Sequence, residues 1–373
     1  MRSARVEVDL DAVAQNIGQL RKEVSPSLLC AVVKADGYGH GSIAVSEAAL
    51  AAGADWLAVA LIEEAAVLRK AQIDAPILLL SQPRPADMDA AVRFDLRVCL
   101  TTPEGVKALA EAATKQKKNV RVHMKIDTGM NRIGVYPESA VALAQQIVAH
   151  ENLQLEGVFT HLAVADEPSN PFTAEQLDRF ESVLAELATN RINPVLRHSA
   201  NSATALAHPR GRFDLVRVGI AVYGIAPAPG LAENIDLQPA MSLRAEVSAV
   251  RRAKSGEGVS YGHRHRFTAD TNVATIPIGY ADGVPRNLGL RGGSVLIAGK
   301  RRPIVGVVTM DQLMVDCGDD KVNVGDDVVL LGRQGNEVIT ADEWAELTDT
   351  IAYEIVCGIG PRVPRFYPTR GER

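Results

Sequence analysis

The sequence predicts an α/β fold in which an N-terminal (β/α)8 TIM-type barrel is followed by a mostly β C-terminal domain. Short apolar runs alternate with longer amphipathic stretches from residue 28 onward, and this alternation occurs eight times. Apolar runs of this kind are typical of parallel strands that are buried on both faces. Helix-like stretches nearly vanish after Pro227. We therefore place the barrel at residues 1–235 and the β domain at 236–373, with a first strand at about 4–9 that can join the β domain.

Each predicted barrel strand is an apolar run followed by a helix-like stretch such as SIAVSEAALAA or PESAVALAQQIVAH. The runs are LLCAVVKA (28–35), DWLAVA (55–60), APILLLS (75–81), LRVCLT (96–101), VRVHMKID (120–127), LQLEGVFTHL (153–162), PVLRHSAN (194–201) and LVRVGIAVYG (215–224). The eighth unit has the weakest pattern, because only the short segment SATALA separates the last two runs.

The C-terminal domain begins after PAPGLAENIDLQPA (227–240), which has the composition of a linker. Strand-like runs bounded by Gly, Asp and Asn then follow one another. They are MSLRAEVSAVRRA, NVATIPIGY, GSVLIAG, RPIVGVVTM, QLMVDCG and DDVVLLG. Only ADEWAELTD has a helical pattern, so we expect a single helix in this domain.

Composition and charge exclude several classes of function. The chain has 373 residues, a net charge of −5 and no basic run that could follow a phosphate backbone, so nucleic acid is not an expected partner. Its apolar runs are strand-sized and its start lacks the apolar segment of a signal peptide. We expect a cytoplasmic protein without a membrane partner. The cysteines lack metal-ligand spacing, so we predict buried thiols and no metal site at Cys30, Cys99, Cys317 and Cys357.

Polar residues occur where the predicted barrel strands end. Lys34 ends the first strand, His161 the sixth, and His198 and Asn201 the seventh, while Arg217 lies within the eighth. Functional residues of such barrels lie at the carboxyl ends of the strands. The sequence therefore predicts a functional site at this face of the barrel.

Lys34 is the candidate nucleophile of this site. A lysine that leaves a buried strand is partly desolvated, which lowers its pKa and makes its amine nucleophilic. The glycines of the following segment ADGYGHG let the backbone approach a ligand closely. A lysine at a strand end can also simply extend its amine to solvent.

Seven segments resemble motifs of the alanine racemase family, in the order usual for that family. They are AVVKADGYGHG (31–41), KIDTGMNRIG (125–134), RHSANSA (197–203), VRVGIAVYG (216–224), VSYGHRH (259–265), IGYADG (278–283) and TMDQLMVD (309–316). The resemblance extends from residue 4 to about 365. It implies a cytoplasmic homodimer with shared active sites that interconverts L- and D-alanine with pyridoxal 5′-phosphate (PLP), supplying D-alanine for peptidoglycan.

The resemblance also implies which residues bind the cofactor. Lys34 would hold PLP covalently through its amine, and Arg217 would face the pyridine nitrogen, where its permanent charge disfavours protonation. An unprotonated ring withdraws electrons less strongly, which favours racemisation over transamination. The implied cofactor-binding residues are Lys34, Tyr38, His161, Asn201, Ser202, Arg217, Gly219 and Ile220. Ser202 could also cap a helix.

Racemisation requires two acid–base groups on opposite faces of the substrate carbon. The resemblance implies that these catalytic residues are Lys34 and Tyr261. It assigns the substrate carboxylate to Arg132 and the backbone N–H of Met310. Supporting positions, including the channel through which substrate enters, are Lys125, His198, Tyr280 and Asp311. Some relatives carry a carbamate at the position of Lys125, which the sequence leaves open.

Two departures from the family pattern affect the neighbourhood of the site. Thr309 stands where the family often has cysteine, and Pro361 stands where many relatives have tyrosine. Alternative functions are a racemase of broader specificity, a PLP-dependent decarboxylase of the same fold, and a non-catalytic PLP-binding protein. Decarboxylases place an acidic residue where this chain has Arg217. A dinucleotide oxidoreductase is disfavoured, since no G-x-G-x-x-G follows the first strand.

Overall fold

The computed structural model describes residues 3–369. They form two compact units. The barrel unit comprises Asp11–Gly37 and Ser42–Gln238. The β unit comprises residues 3–10, the short segment Tyr38–Gly41, and residues 239–369. The first strand, β1 (Arg5–Val8), belongs to the β unit.

Eight parallel strands form the barrel unit, and each lies within one of the eight apolar runs. They are β2 (Leu28–Val32), β3 (Trp56–Val59), β4 (Ile77–Leu79), β5 (Val98–Leu100), β6 (Val120–Lys125), β7 (Leu153–Phe159), β8 (Leu196–His198) and β9 (Leu215–Val218). They pair in the orders β4-β3-β2-β9 and β5-β6-β7-β8. A parallel bridge between Leu78 and Arg97 joins the two groups, and the N–H of Arg217 bonds the carbonyl of Ala200 at 3.0 Å on the other side. The predicted barrel is confirmed.

Helices connect the barrel strands. They are α1 (Leu10–Val24), α2 (Ser42–Ala51), α3 (Ile62–Lys70), α4 (Met88–Arg93), α5 (Pro103–Gln116), α6 (Ala140–Val148), α7 (Phe172–Thr189) and α8 (Ser202–Ala207). In α5 the side chain of Thr102 caps the N-terminus by accepting the N–H of Gly105 at 3.1 Å. Its buried residues recur at helical spacing, so α5 presents an apolar stripe.

The β unit is mostly sheet, as predicted. Its further strands are β10 (Met241–Glu246), β11 (Ala249–Ala253), β12 (Gly258–Val259), β13 (His265–Arg266), β14 (Thr271–Ile276), β15 (Ser294–Ile297), β16 (Lys300–Pro303), β17 (Leu313–Asp316), β18 (Asp327–Gln334), β19 (Glu337–Ile339) and β20 (Arg365–Phe366). The largest sheet has the order β16-β15-β18-β10-β1-β20, with β19 paired to β18. Smaller sheets are β11-β14-β17 and β12-β13.

Two expectations for this unit were wrong. It has two helices, α9 (Ala341–Thr348) and α10 (Ala352–Gly358), where we expected one. Helix α10 has only seven residues, too few for a helical period to stand out. The run RPIVGVVTM is strand only up to Pro303, beyond which Ile304 makes an isolated bridge to Val315 and the chain turns at Gly306, where φ is 75°.

Two further properties concern the whole described chain. Within residues 3–369 no helix is long and apolar enough to cross a membrane. Three of the cysteines are buried as expected, but Cys357 is exposed because it lies at the end of the short helix α10. Burial raises the pKa of the thiols of Cys30 and Cys99 to about 12.

Candidate active site

The polar residues that the sequence singled out do lie at the carboxyl ends of the barrel strands. Lys34 follows β2 by two residues, and His161 follows β7 by two residues. His198 is the last residue of β8, Asn201 begins the next turn, and Arg217 lies within β9. Since neighbouring parallel strands end at the same rim, these side chains share one face of the barrel unit.

The turn Lys34–Tyr38 has a rare backbone conformation. Residues 35–38 all have positive φ, from 52° to 61°, although only one of them is glycine. Each non-glycine residue in this region costs roughly 1–2 kcal/mol. The Glu64 carboxylate stabilises the turn by accepting the N–H of Ala35 at 2.6 Å, and Asp36 accepts the N–H of Ser42 at 2.8 Å. Such strain is typical of functional sites.

Arg217 is buried, with an exposed fraction of 4%, yet its partners are neutral groups. Its guanidinium lies 2.8 Å from Nδ1 of His198 and donates to the carbonyls of Thr160 at 2.9 Å and Ser199 at 3.1 Å. It also lies 3.4 Å from Nδ1 of His161. No carboxylate within residues 3–369 forms an ion pair with it. Burial lowers the pKa of Arg217 to about 10, so it remains charged at neutral pH.

Four cationic side chains act on the imidazole of His161. Its pKa is lowered well below the ordinary range, first by burial and then by the charges of Arg217, Lys125, Arg132 and Lys34. Burial likewise lowers the pKa of Lys125 to about 8. Positive charge concentrated in this way favours an anionic ligand.

Ser202 and Gly219 are hydrogen-bonded to each other where β9 ends. The Ser202 hydroxyl accepts the N–H of Gly219 at 3.0 Å, and Ile220 follows, fully buried. The N-cap of α8 is Asn201, whose Oδ1 accepts the N–H of Thr204 at 2.9 Å. Our expectation that Ser202 could cap this helix was therefore wrong, since Ser202 is already the first helical residue.

Phe159, the last residue of β7, is a site residue that the sequence analysis missed. The Lys125 ammonium lies 5.6 Å from the centre of its ring and the Arg217 guanidinium 5.3 Å from it. Both distances are within the range of cation–π attraction. The His198 imidazole stacks on the same ring, with centroids 4.8 Å apart. An aromatic residue at the end of an apolar run is also typical of a barrel core, so the sequence held no distinguishing signal.

The pair formed by the buried His123 and the partly buried Glu156 was also missed. His123 lies in β6, where its Nδ1 is 2.8 Å from Nε2 of His198, and its Nε2 is 3.2 Å from the carboxylate of Glu156 in β7. Here a signal existed, because VRVHMKID and LQLEGVF each place a polar side chain inside an otherwise apolar run. Within residues 3–369 no group of three or more His, Cys, Asp or Glu side chains could hold a metal ion.

Two predicted tyrosines belong to the β unit. Tyr261 begins the short turn Tyr261–His263 between β12 and β13, and its exposed fraction is 72%. The preceding residue, Ser260, has a φ of 61°, and its hydroxyl donates to the carbonyl of Val307 at 2.6 Å. Tyr38 is buried instead, and burial raises its pKa.

Tyr280, Met310 and Asp311 are also in the β unit. The N–H of Tyr280 donates to the carbonyl of Thr309 at 3.0 Å, and Asp311 accepts from Arg362 at 2.6 Å. Met310 has an exposed fraction of 52%. These three residues lie in loops that backbone hydrogen bonds tie together, since the carbonyl of Met310 also accepts the N–H of Ala281 at 3.1 Å.

Comparisons with known proteins cover nearly the whole chain. Residues 8–227 match the family model for the alanine racemase N-terminal domain, and residues 240–367 match the model for the C-terminal domain. An alanine racemase of Symbiobacterium thermophilum is 50% identical over 98% of this chain and 97% of that protein. One of Thermobifida fusca is 44% identical over 98% of each chain. The crystal structure of alanine racemase from D-cycloserine-producing Streptomyces lavendulae matches with a TM-score of 0.94 at 41% identity, covering 99% of this chain and 98% of that one.

Proposed function

This chain belongs to the alanine racemase family and interconverts L- and D-alanine, and we propose that it does so with PLP bound at the rim where the barrel strands end. The observation that supports this site best is the group of four cations acting on His161. PLP carries a phosphate and alanine a carboxylate, so the bound pair is anionic. Enzymes of this family depend on PLP.

The residues present fit this cofactor. Its phosphate would be held by the hydroxyl of Ser202 and the backbone N–H groups around Gly219, and its aldehyde would react with the amine of Lys34. Arg217 can only donate, so it suits an unprotonated pyridine nitrogen. When bound, the cofactor withdraws electrons from the substrate and makes the proton on Cα acidic.

The protein's own residues then transfer the proton. The amine of Lys34 serves one face of the substrate Cα, and the phenol of Tyr261 serves the other. Removal of the proton on one face and delivery on the other invert the centre. Arg132 and the N–H of Met310 bind the substrate carboxylate and hold Cα between the two groups.

Arg217 favours racemisation over competing reactions. Its positive charge opposes protonation of the pyridine nitrogen, so less electron density leaves Cα and reprotonation there is favoured. A decarboxylase of the same fold would have a carboxylate at this position. The buried guanidinium, bonded only to neutral partners among residues 3–369, supports the racemase instead.

We further propose a cytoplasmic homodimer with shared active sites, supplying D-alanine for peptidoglycan. Lys34 belongs to the barrel unit and Tyr261 to the β unit. In the dimer, the β unit of one protomer would contribute Tyr261 to the site of its partner. The high exposure of Tyr261 and Met310 in the single chain supports this assembly, because a partner would cover both side chains.

The test is incubation of the purified protein with L-alanine and PLP, followed by chiral analysis. We expect equal amounts of the two enantiomers at equilibrium, and loss of activity in Lys34→Ala. Borohydride should fix the cofactor on Lys34. The matched control is Lys254→Ala, an exposed lysine of the β unit, which should keep wild-type activity. Cofactor fixed on Lys125 or Lys254 would contradict the assignment.

The substrate range requires a second assay. A histidine racemase of Leuconostoc mesenteroides matches this chain with a TM-score of 0.91 at 31% identity, over 99% of this chain. The same architecture therefore accompanies a different substrate. Parallel assays with L-serine and L-histidine would identify a racemase of broader specificity if either is converted as fast as L-alanine.

A further inference from the structure

We propose that His123 and Glu156 are positioning residues that hold the Arg217 guanidinium in place. They act through a chain of hydrogen bonds in which each group donates to the next group farther from Arg217. The chain runs from Arg217 through His198 and His123 to Glu156. The proposal rests on the proposed function in one respect, namely that Arg217 faces the cofactor ring. It assigns a role in the reaction to His123 and Glu156, which would contact neither the cofactor nor the substrate.

The direction of the chain follows from the chemistry of arginine. A guanidinium only donates, so Nδ1 of His198, 2.8 Å from Arg217, must accept. The proton of His198 is then on Nε2, which donates to Nδ1 of His123 at 2.8 Å. The proton of His123 is therefore on its own Nε2, which donates to the carboxylate of Glu156 at 3.2 Å. The donor at one end, Arg217, and the acceptor at the other, Glu156, thus favour the same tautomer of both imidazoles.

The pairing register between β6 and β7 shifts by one residue next to His123. Val122 of β6 pairs with Leu155 of β7, but the next residue, His123, pairs with Gly157. Glu156 is therefore the extra residue of a bulge, a feature that re-aims a side chain out of the regular alternation. A Cβ on Gly157 would lie 2.4 Å from Nδ1 of His123, so only glycine leaves room for the ring.

Burial keeps both imidazoles neutral. His198 and His123 are fully buried, and burial is the main cause that lowers the pKa of each. Around them lie Arg217 at one end and Glu156 at the other. Burial opposes ionisation of Glu156, but its hydrogen bond to His123 and two arginines outweigh this, so its pKa is lowered. The two arginines are Arg97 and Arg121, each with Nε 3.5 Å from a carboxylate oxygen.

Protonation of either imidazole would break the chain. An imidazolium only donates, so a protonated His123 would direct an N–H at His198 and force its remaining proton towards Arg217. The N–H of His198 would then point at an N–H of the Arg217 guanidinium, so two donors would face each other without an acceptor. Burial prevents this protonation, and the carboxylate of Glu156, by accepting from Nε2, holds the single proton of the neutral His123 ring there. Loss of that acceptor should let His198 adopt both tautomers and let Arg217 move.

The experiment compares Glu156→Met, which removes the acceptor, with Glu156→Gln, which keeps an accepting oxygen. Gln154→Met, an exposed position on the same strand, is the matched control. We expect about a tenfold fall in kcat for Glu156→Met. KM should change little, because Arg132 binds the substrate carboxylate. Glu156→Gln should recover most of kcat, and Gln154→Met should equal the wild type.

The second readout is the position of the ring protons in the holoenzyme, from ¹⁵N shifts of labelled histidines assigned by single substitutions. We expect His123 and His198 of the wild type to be protonated on Nε2, and the tautomers to mix in Glu156→Met. A wild-type His198 protonated on Nδ1 would overturn the proposal, whatever the stability of any variant. So would unchanged tautomers and kcat in Glu156→Met.

Gly157→Ala tests the same chain by displacing the His123 ring rather than its acceptor. It should mix the tautomers of His198 as Glu156→Met does, and unmixed tautomers would contradict the proposal. Failure of the proposed function gives a different result. A wild type that does not racemise alanine, yet has both imidazoles protonated on Nε2, would refute the assigned reaction and keep the chain.

Discussion

Lys125 combines burial with a position among other cations. Its ammonium lies over the ring of Phe159, and the charges of Arg217 and Arg132 add to the effect of burial on its pKa. A pKa of about 8 leaves roughly a tenth of the side chain neutral at pH 7. A neutral amine is the form that reacts with carbon dioxide, giving a carbamate and releasing one proton to solvent, so the chemistry permits the modification that the sequence left open.

The lowered pKa of Lys125 predicts a pH dependence of stability. Between about pH 8 and the unfolded value near 10.4, this side chain binds more protons in the unfolded chain than in the folded one, so its contribution to the free energy of unfolding should rise with pH. The gain is on the order of 3 kcal/mol over this range. Below pH 8 both states are protonated and this contribution is constant. Lys125→Met should lack the rise.

Urea unfolding of cofactor-free protein from pH 7.5 to 10.5 measures this effect, since a bound anion would raise the pKa again. Lys107→Met, an exposed lysine of α5, is the control and should follow the wild type. Equal slopes for wild type and Lys125→Met would show that Lys125 has an ordinary pKa.

The residues of the candidate site differ in how far they could be predicted from the sequence. Lys34, His198 and Arg217 could be predicted because a polar side chain is costly to bury at the end of an apolar run unless it binds a partner or a ligand. For Glu156 the sequence indicated only a polar residue within an apolar run, since the direction of its side chain depends on a register shift that involves a second strand. Pairing between strands is not encoded in either strand alone.

At the scale of an element, the turn after β2 has the most unusual geometry. The glycines of ADGYGHG predicted a close approach of the backbone. The left-handed conformation of Ala35 and Asp36 could not be predicted, because such residues adopt it only under tertiary constraint. Glu64 of α3 supplies that constraint, since its carboxylate also accepts the N–H of Ala60 at 2.8 Å.

Glu64→Gln is therefore predicted to destabilise the turn. The amide nitrogen of the new glutamine would face the backbone N–H of either Ala35 or Ala60. That N–H would lose its acceptor, at a cost of about 1–3 kcal/mol. We expect a lower urea midpoint and weaker PLP binding, because Lys34 begins this turn. The control is Glu63→Gln, which removes the same charge at the neighbouring exposed position. It should change neither the urea midpoint nor PLP binding. Identical PLP affinities in the two variants would exclude a role for Glu64 in holding the turn.

At the scale of the whole molecule, all eight barrel strands could be located from their apolar runs. Buried parallel strands are apolar throughout, which makes them distinct from the helices around them. The β unit was predicted less well, because its short strands alternate in polarity and end at turns such as Gly306, whose conformation depends on the surrounding fold. Helix α10 was missed because a segment of seven residues is too short to show a helical pattern in the sequence.

The shared-site dimer predicts complementation between two nearly inactive variants. Lys34→Ala and Tyr261→Phe are mixed under conditions that exchange subunits. In the heterodimer one site receives both changes and the other receives neither. Random mixing makes about half of the dimers heterodimers, so about a quarter of wild-type activity should return. Activity that stays at the level of the parents, with exchange verified by mass spectrometry, would mean that one chain supplies both residues.

The pairing of β1 has a consequence for the order of events during translation. This strand leaves the ribosome well before its partners, which are β10, beginning at Met241, and β20, beginning at Arg365. At about 5–20 residues per second, β20 follows β1 by roughly 20–70 s. Every barrel strand is synthesised in that interval. The nascent chain therefore carries the unpaired edge of β1 while the whole barrel is made, and a chaperone that shields such an edge would raise the yield of folded protein.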